Sequence, residues 1–417
     1  MGLSRLTVSC RTEIRVLAAL GLAFGATPLA TAAARQATPL PLGVELDVTP
    51  DTARLAENPD LRARLVASPH GYFRFINIPF MNAVCRRVRA ESNALPTVTL
   101  HGDAHIEQYA VTELGRGLTD FDDSASGSAT LDLARFGVSL RLAAHQRGWT
   151  AGAETLLAAF MRGYRRALTD PTAVAPEPAW ARRVQGTFDP DPLACLARAE
   201  ELMESLPVHR EIIDETSKAM ALEMLTKNAQ LPPSFFNLKK TGILRAGIGS
   251  ALAAKYLVRV EGPGPKDDDD VILEVKEVQN LQGVACLRSM PGPSRIMVGQ
   301  ARIAYEPFYL PGVLRYGGRT FWIHAWPLNY AELDIATGPA TPEELEEVAF
   351  DAGVQLGRGH PNESLKSEAD HLRKTLLKRL SDERLQAMVA ELASETIAAW
   401  ERFRAALRAP QDGVAKK

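Results

Sequence analysis

Cysteine is scarce in this 417-residue chain: only Cys10, Cys85, Cys195 and Cys286 are present, widely scattered and in no CxxC pair. That spacing argues against a zinc knuckle and against a disulfide framework. Loss of Cys10 with a cleaved leader leaves an odd number of thiols, so no structural disulfide is expected. Charge of one sign is lacking too. A formal net charge of −2 offers no basic face to a nucleic-acid backbone. Internal repeats and low-complexity tracts are absent. What is present is the balance of a globular protein, 46% hydrophobic and 24% charged, which can bury a full core. The length implies two domains or one two-lobed unit.

At the N-terminus Arg5, Arg11 and Arg15 precede "VLAALGLAFGATPLATAAA", which contains Pro28 and closes on A-x-A patterns. This is the layout of a secretory signal peptide over residues 1–34, and it predicts an exported, periplasmic protein. The apolar part is short and weakens into Thr and Ala, so no stable membrane span is expected once the leader is cleaved.

Beyond it, "DTARLAENPDLRARLVASP" has capping residues and leucines at helical spacing. Val98 and Leu100 alternate with Thr97 and Thr99 in a short strand that runs into His101. A second short strand ends at "GLTDFDD", "SASGS" reads as a turn, and "ATLDLARFGVSLRLAAHQRG" as a helix with Leu131, Ala134, Val138 and Leu142 on one face. Helical signals run on to about Lys227. From Thr241 the texture changes to strands: two around "AGIGS", then "VILEVKEV" and "RTFWIHAWPL". Asp267 to Asp270 read as a solvated hairpin loop, and the chain after Thr341 reads as helix. The fold class expected is α+β: a helical large lobe over residues 35–236, a small antiparallel sheet lobe over 237–330, and C-terminal helices over 331–417 that complete the large lobe.

The chemistry concentrates in "HGDAHIEQYAVTELGRGLTDFDD", His101 to Asp123. Asp103 follows one strand and Asp120 ends the next, with Gln108 and Asp122 close by. A loop carboxylate to orient a hydroxyl, an amide oxygen and further carboxylates are what phosphoryl transfer uses. Magnesium takes such hard oxygen ligands and keeps several waters. His101 and His105 suit hydrogen bonding within the loop, or a transition metal. Downstream, Gly247, Gly249 and Ser250 form a turn whose backbone could approach a phosphate. Lys276 follows on the next strand. Glu274 and Lys276 alternate with Val271, Leu273 and Val275, so both could equally face water.

These residues carry a resemblance. "HGDAHIEQ" is similar to the His-Gly-Asp-x-x-x-x-Asn loop of aminoglycoside phosphotransferases, and "TDFDDSASGSATLDLARF" to their metal-binding segment. More closely, the segments "SPHGYFRF", "GDAHIEQ", "DFDD", "GIGS" and "LEVKEV", in this order from about Ser68 to His360, resemble a kinase-like bacterial family catalogued as a domain of unknown function. In ordinary kinases the glycine loop and lysine come first, so the resemblance implies a circularly permuted, two-lobed protein-kinase-like fold. It implies Asp103 as the catalytic acid that positions the acceptor. Asp120, with Asp122 and Gln108 beside it, would hold Mg2+, and Lys276 would grip the phosphates of ATP or another nucleotide beneath Gly247, Gly249 and Ser250. Asp132 would cap or brace the loop.

Two departures bear on activity. Gln108 stands where the phosphotransferases carry asparagine, which moves the amide oxygen by one methylene. A leader would also send the chain where ATP is not ordinarily supplied. The readings are therefore a nucleotide-dependent phosphotransferase acting on an unidentified hydroxyl, an exported non-catalytic pseudokinase-like binding protein, or a metal-dependent hydrolase built on His101, Asp103, His105, Asp120 and Asp122. No nucleic-acid partner is expected. Under each reading an Asp103→Ala variant is expected to keep the fold.

Overall fold

A computed structural model of the chain describes residues 44–49, 55, 58–89, 95–149, 152–204, 237–244, 248, 253–262, 264, 266–288, 292–316 and 318–408. The expected leader, and the turn with Gly247, Gly249 and Ser250, lie outside these residues.

Helix α1 (Pro59–Ala67) is opened by Asn58, whose side chain accepts from the Leu61 amide. Helix α2 (Pro69–Phe75) is opened by Ser68 in the same way, through Gly71. Each has proline at its first position, where a missing N–H costs nothing. Helix α3 (Asn77–Arg89) follows. Four short strands then carry the acidic stretch: β1 (Thr97–Leu100), β2 (Tyr109–Thr112), β3 (Arg116–Leu118) and β4 (Ala125–Ser128). The "SASGS" segment is thus not the expected turn. Its last residues pair antiparallel with β1, Leu100 opposite Ala125 and Val98 opposite Gly127. Small side chains hide the strand period there but admit close packing: a Cβ on Gly127 would lie 3.0 Å from a methyl of Leu100. This pairing closes the loop after β1 onto the turn after β3. Gly102, at φ +87°, lies so close to that turn that a Cβ would stand 1.8 Å from the Asp123 carbonyl oxygen.

Helix α4 (Thr130–Arg147) is buried on nearly every side rather than on the one face expected, because it runs through the centre of the helical part. It touches α2, α3, α5 (Ala153–Thr169) and the long C-terminal helix (Asp382–Arg408). Two short helices follow, α6 (Ala179–Gln185) and α7 (Pro192–Glu201).

Among the described residues the main sheet has six strands, all antiparallel to their neighbours: β5 (Met203–Glu204), β6 (Leu238–Leu244), β7 (Lys255–Val260) and β8 (Val271–Glu277), with β10 (Arg319–Ala325) between β8 and the edge strand β9 (Gly312–Tyr316). One face gathers Tyr256, Val258, Leu273, Val275, Phe321 and Ile323. The opposite face of β8 presents Ile272, Glu274 and Lys276, all buried. The polar residues on this strand therefore do not face water. A further strand, β11 (Tyr330–Glu332), joins β2 and β3 in a three-stranded sheet. Helices α8 (Ser294–Ile303), α9 (Pro342–Gly359), α10 (Lys366–Arg379) and α11 (Asp382–Arg408) complete the described chain. The fold is mixed α and β, with helices packed beside small antiparallel sheets. Among the described residues no helix is long and apolar enough to cross a membrane.

Two expectations are corrected. Cys85 and Cys286 form a disulfide that ties α3 to the segment after β8, and Cys195 is a buried free thiol. An odd thiol count leaves one cysteine over but does not forbid a pair. Because the bond closes a loop of 201 residues, a Cys286→Ser variant is expected to lose about 2–5 kcal/mol of stability in urea without reductant. A midpoint equal to that of the wild type would contradict this. The acidic quartet is also not uniformly solvated. Asp267 and Asp268 are exposed, but Asp270 is buried between Lys239 at 2.8 Å and Arg259 at 2.6 Å.

Candidate functional site

The loop after β1 is held from behind. The backbone amides of His101 and Gly102 donate to the two oxygens of Asp132, at 2.7 and 2.9 Å, from the first turn of α4. The expected brace is therefore in place. His360 Nε2 lies 3.1 Å from the same carboxylate, and its Nδ1 meets the Tyr164 hydroxyl at 2.9 Å. His101 Nε2 lies 2.8 Å from the Thr119 carbonyl and ties the two acid-bearing turns together.

Asp103 is buried at 5% exposure. One carboxylate oxygen takes a 2.6 Å bond from Arg135, whose guanidinium lies 4.1 Å over the Phe73 ring. The other takes the Gln108 amide at 3.3 Å and lies 3.6 Å from His105 Nε2. Burial pushes this carboxyl up, but Arg135 and His105 together hold it down at about 2. Such a group orients a hydroxyl well and is a weak base. The expectation that Asp103→Ala keeps the fold meets a cost in this geometry. Alanine would strand a buried guanidinium, and Asp103→Asn is the informative variant.

Asp120 adopts the left-handed conformation (φ 58°, ψ 67°), which aspartate tolerates better than most residues. Lys276, reaching from β8, places Nζ 2.6 Å from Asp120 and 2.7 Å from Asp122. Trp322 Nε1 donates to the other oxygen of Asp122 at 2.7 Å. The Gln108 amide also reaches Asp120, at 3.4 Å. Burial pushes Asp120 up, but Lys276 and Lys255 outweigh it and keep it ionised. Burial and the Asp120 charge push Asp122 well above the usual carboxylate range. Burial alone would lower the Lys276 ammonium, yet Asp120, Asp122 and Glu274 hold it well above its usual range. Glu274 lies 4.0 Å from Lys276 and 3.0 Å from His324 Nε2.

Asp103, Gln108, Asp120, Asp122 and Lys276 are thus joined in one contact network, although Lys276 lies far along the chain from the others. Gly247, Gly249 and Ser250 are outside the described residues. Two contributors, Arg135 and Lys255, were not read from the sequence. Arg135 sits one turn beyond Asp132 on a helix, a spacing that could have flagged it. Lys255 stands directly opposite Lys276 in the β7/β8 register, which only strand pairing reveals. Trp326 and Tyr330 line a cavity with Asp120, Lys255 and Lys276, whereas Trp322 is core with a polar handle on Asp122.

His105 provides a pH test. Burial lowers its pKa to about 4 despite the nearby Asp103. An unfolded histidine takes up its proton near 6.5, and the native one resists until about 4. Its contribution is therefore full above pH 6.5 and is lost as the pH falls towards 4, by up to about 3 kcal/mol. Comparing urea stability at pH 7 and pH 5, a His105→Gln variant should lose less than the wild type. Equal losses would show that this ring is not what resists protonation.

No curated protein and no solved structure matches the chain. Over residues 59–240, a stretch that holds Asp103, Gln108, Asp120 and Asp122 and stops before Lys276, the chain matches a family described as an uncharacterized protein conserved in bacteria (DUF2252).

Proposed function

We propose that the chain is a kinase-like phosphotransferase that moves a phosphoryl group from ATP or another nucleotide to a hydroxyl acceptor, with Mg2+ as the cation it would use. The observation that carries this reading is the contact of Lys276 with both Asp120 and Asp122, with Asp120 linked through the Gln108 amide to Asp103. A lysine among carboxylates, beside an acid held ionised, is the charge arrangement that phosphoryl transfer uses.

The donor set fits magnesium. Asp120 and Asp122 are hard oxygen donors crowded enough to push Asp122 up, and the buried Gln108 Oε1 has no hydrogen-bond partner among the described residues. Among those residues no three His, Cys, Asp or Glu side chains form a cage for a metal. Magnesium is commonly held by one or two carboxylates plus substrate phosphates, so Asp120, Asp122 and Gln108 would hold it. When bound, it neutralises charge on the phosphates. Lys276, released from the two aspartates, grips the donor phosphates. Asp103 orients the acceptor hydroxyl. The acceptor oxygen bonds to phosphorus as the bond to the bridging diphosphate oxygen breaks. That electron pair stays on the diphosphate, and the hydroxyl proton is released to water. The order of the motifs supports a circularly permuted kinase-like arrangement.

The second reading, an exported non-catalytic binding protein, is favoured by the Cys85–Cys286 disulfide, a bond typical of oxidising compartments such as the periplasm. The hydrolase reading has less support, because His101 is engaged with Thr119 and His105 faces Asp103 rather than the aspartate pair. The test is transfer of label from γ-labelled ATP to a panel of hydroxyl compounds. Transfer by the wild type, lost in Asp103→Asn with nucleotide binding retained, supports the phosphotransferase. Binding without transfer to any acceptor supports the non-catalytic reading.

A further inference from the structure

The cavity beside Asp120 has cations on two walls. Lys255 and Lys276 reach it from the sheet, and Arg74 reaches it from α2, within the "SPHGYFRF" segment that the roles above leave unused. Arg74 is fixed from behind. Its Nη1 donates to Glu107 at 3.0 Å, and Glu107 is itself held by His70 at 3.3 Å and by the Ile335 amide at 3.2 Å. Glu332 is only loosely engaged, at 3.9 Å. The buried Nε–H has no hydrogen-bond partner among the described residues. The guanidinium lies within electrostatic range of both Asp103 and Asp120, the groups that flank the point of transfer.

We propose that Arg74 is a catalytic residue that contacts the terminal phosphoryl group of a nucleoside triphosphate in the cavity it lines with Lys276. The inference rests on the phosphotransferase reading and adds a residue to it. In transfer, negative charge spreads over the equatorial phosphoryl oxygens. Lys276, tied to Asp120 and Asp122, serves the donor side. A planar guanidinium braced by Glu107 is held at the cavity, where it can meet those oxygens.

The experiment compares Mg2+-dependent binding of ADP and of a non-hydrolysable ATP analogue to the full chain, for the wild type, Arg74→Gln and Arg74→Lys. In Arg74→Gln the triphosphate analogue is expected to bind about tenfold to a hundredfold more weakly, with ADP changed by less than about twofold. Should the glutamine variant fail to melt cooperatively, Arg74→Lys carries the test. It keeps the charge beside Glu107 but loses the fork, so the preference for triphosphate over diphosphate should fall. Equal weakening of both ligands, or no change in either, would overturn the role of Arg74 and leave the nucleotide site standing. A wild type that binds neither nucleotide overturns the phosphotransferase reading and this inference with it.

Discussion

Replacing Lys276 with methionine is expected to destabilise the folded chain by about 3–5 kcal/mol, as breaking a buried ion pair typically does. Lys276 is 5% exposed, and its Nζ touches Asp120 and Asp122 with Glu274 at 4.0 Å. Removing that charge leaves these carboxylates in a poorly solvated cleft with Lys255 as the nearest compensation. Burial and the Asp120 charge already raise Asp122, so it takes up a proton readily once the lysine is gone, which places the effect towards the lower end. Urea denaturation at pH 7 measures it. Under the proposed function, millimolar magnesium should return part of the loss, because a divalent cation held by Asp120, Asp122 and Gln108 would replace the missing charge. A loss below about 1 kcal/mol would mean that the ammonium is solvated and that the three contacts are incidental.

The second large effect is at Arg135, which is 1% exposed. An Arg135→Met variant removes the 2.6 Å bond to Asp103, the 3.2 Å bond to the Phe73 carbonyl, and the stacking over Phe73 and Phe80. Methionine fills part of the volume, but Asp103 keeps its charge without a partner, at a cost of about 3–5 kcal/mol. Adding Asp103→Asn should recover a substantial part, since the neutral amide no longer needs a cation. The double variant should therefore be more stable than Arg135→Met alone. If the two losses simply add, Asp103 and Arg135 are not coupled and the site is not organised around that pair.

Much of this architecture could be read in the sequence because local chemistry determined it. The strand into His101, the helix after Thr130, the brace at Asp132 and the strands around Lys255 and Lys276 follow from period and capping. The rest depended on contacts between distant segments. Strand β4 was hidden because "ASGS" has no apolar alternation, and it forms because only small residues fit against Leu100. The pairing of Cys85 with Cys286 spans 201 residues, and no local pattern announces it. Alternation on β8 correctly separated Leu273 and Val275 from Glu274 and Lys276. It could not say that the polar side would face a cleft, because α7 and the acidic turns that cover it come from elsewhere in the chain. Arg74 and Lys255 were missed for the same reason: each matters only through what stands opposite it.

The most direct test of the central claim is a titration of the purified chain with ATP, with and without magnesium, beside Lys276→Met and Asp120→Asn. Since Lys276 is held by Asp120 and Asp122, the account predicts binding by the wild type that needs the metal and is lost in both variants that still fold. Tight binding that ignores magnesium, or that survives both substitutions, would contradict it, and so would the absence of binding by the wild type.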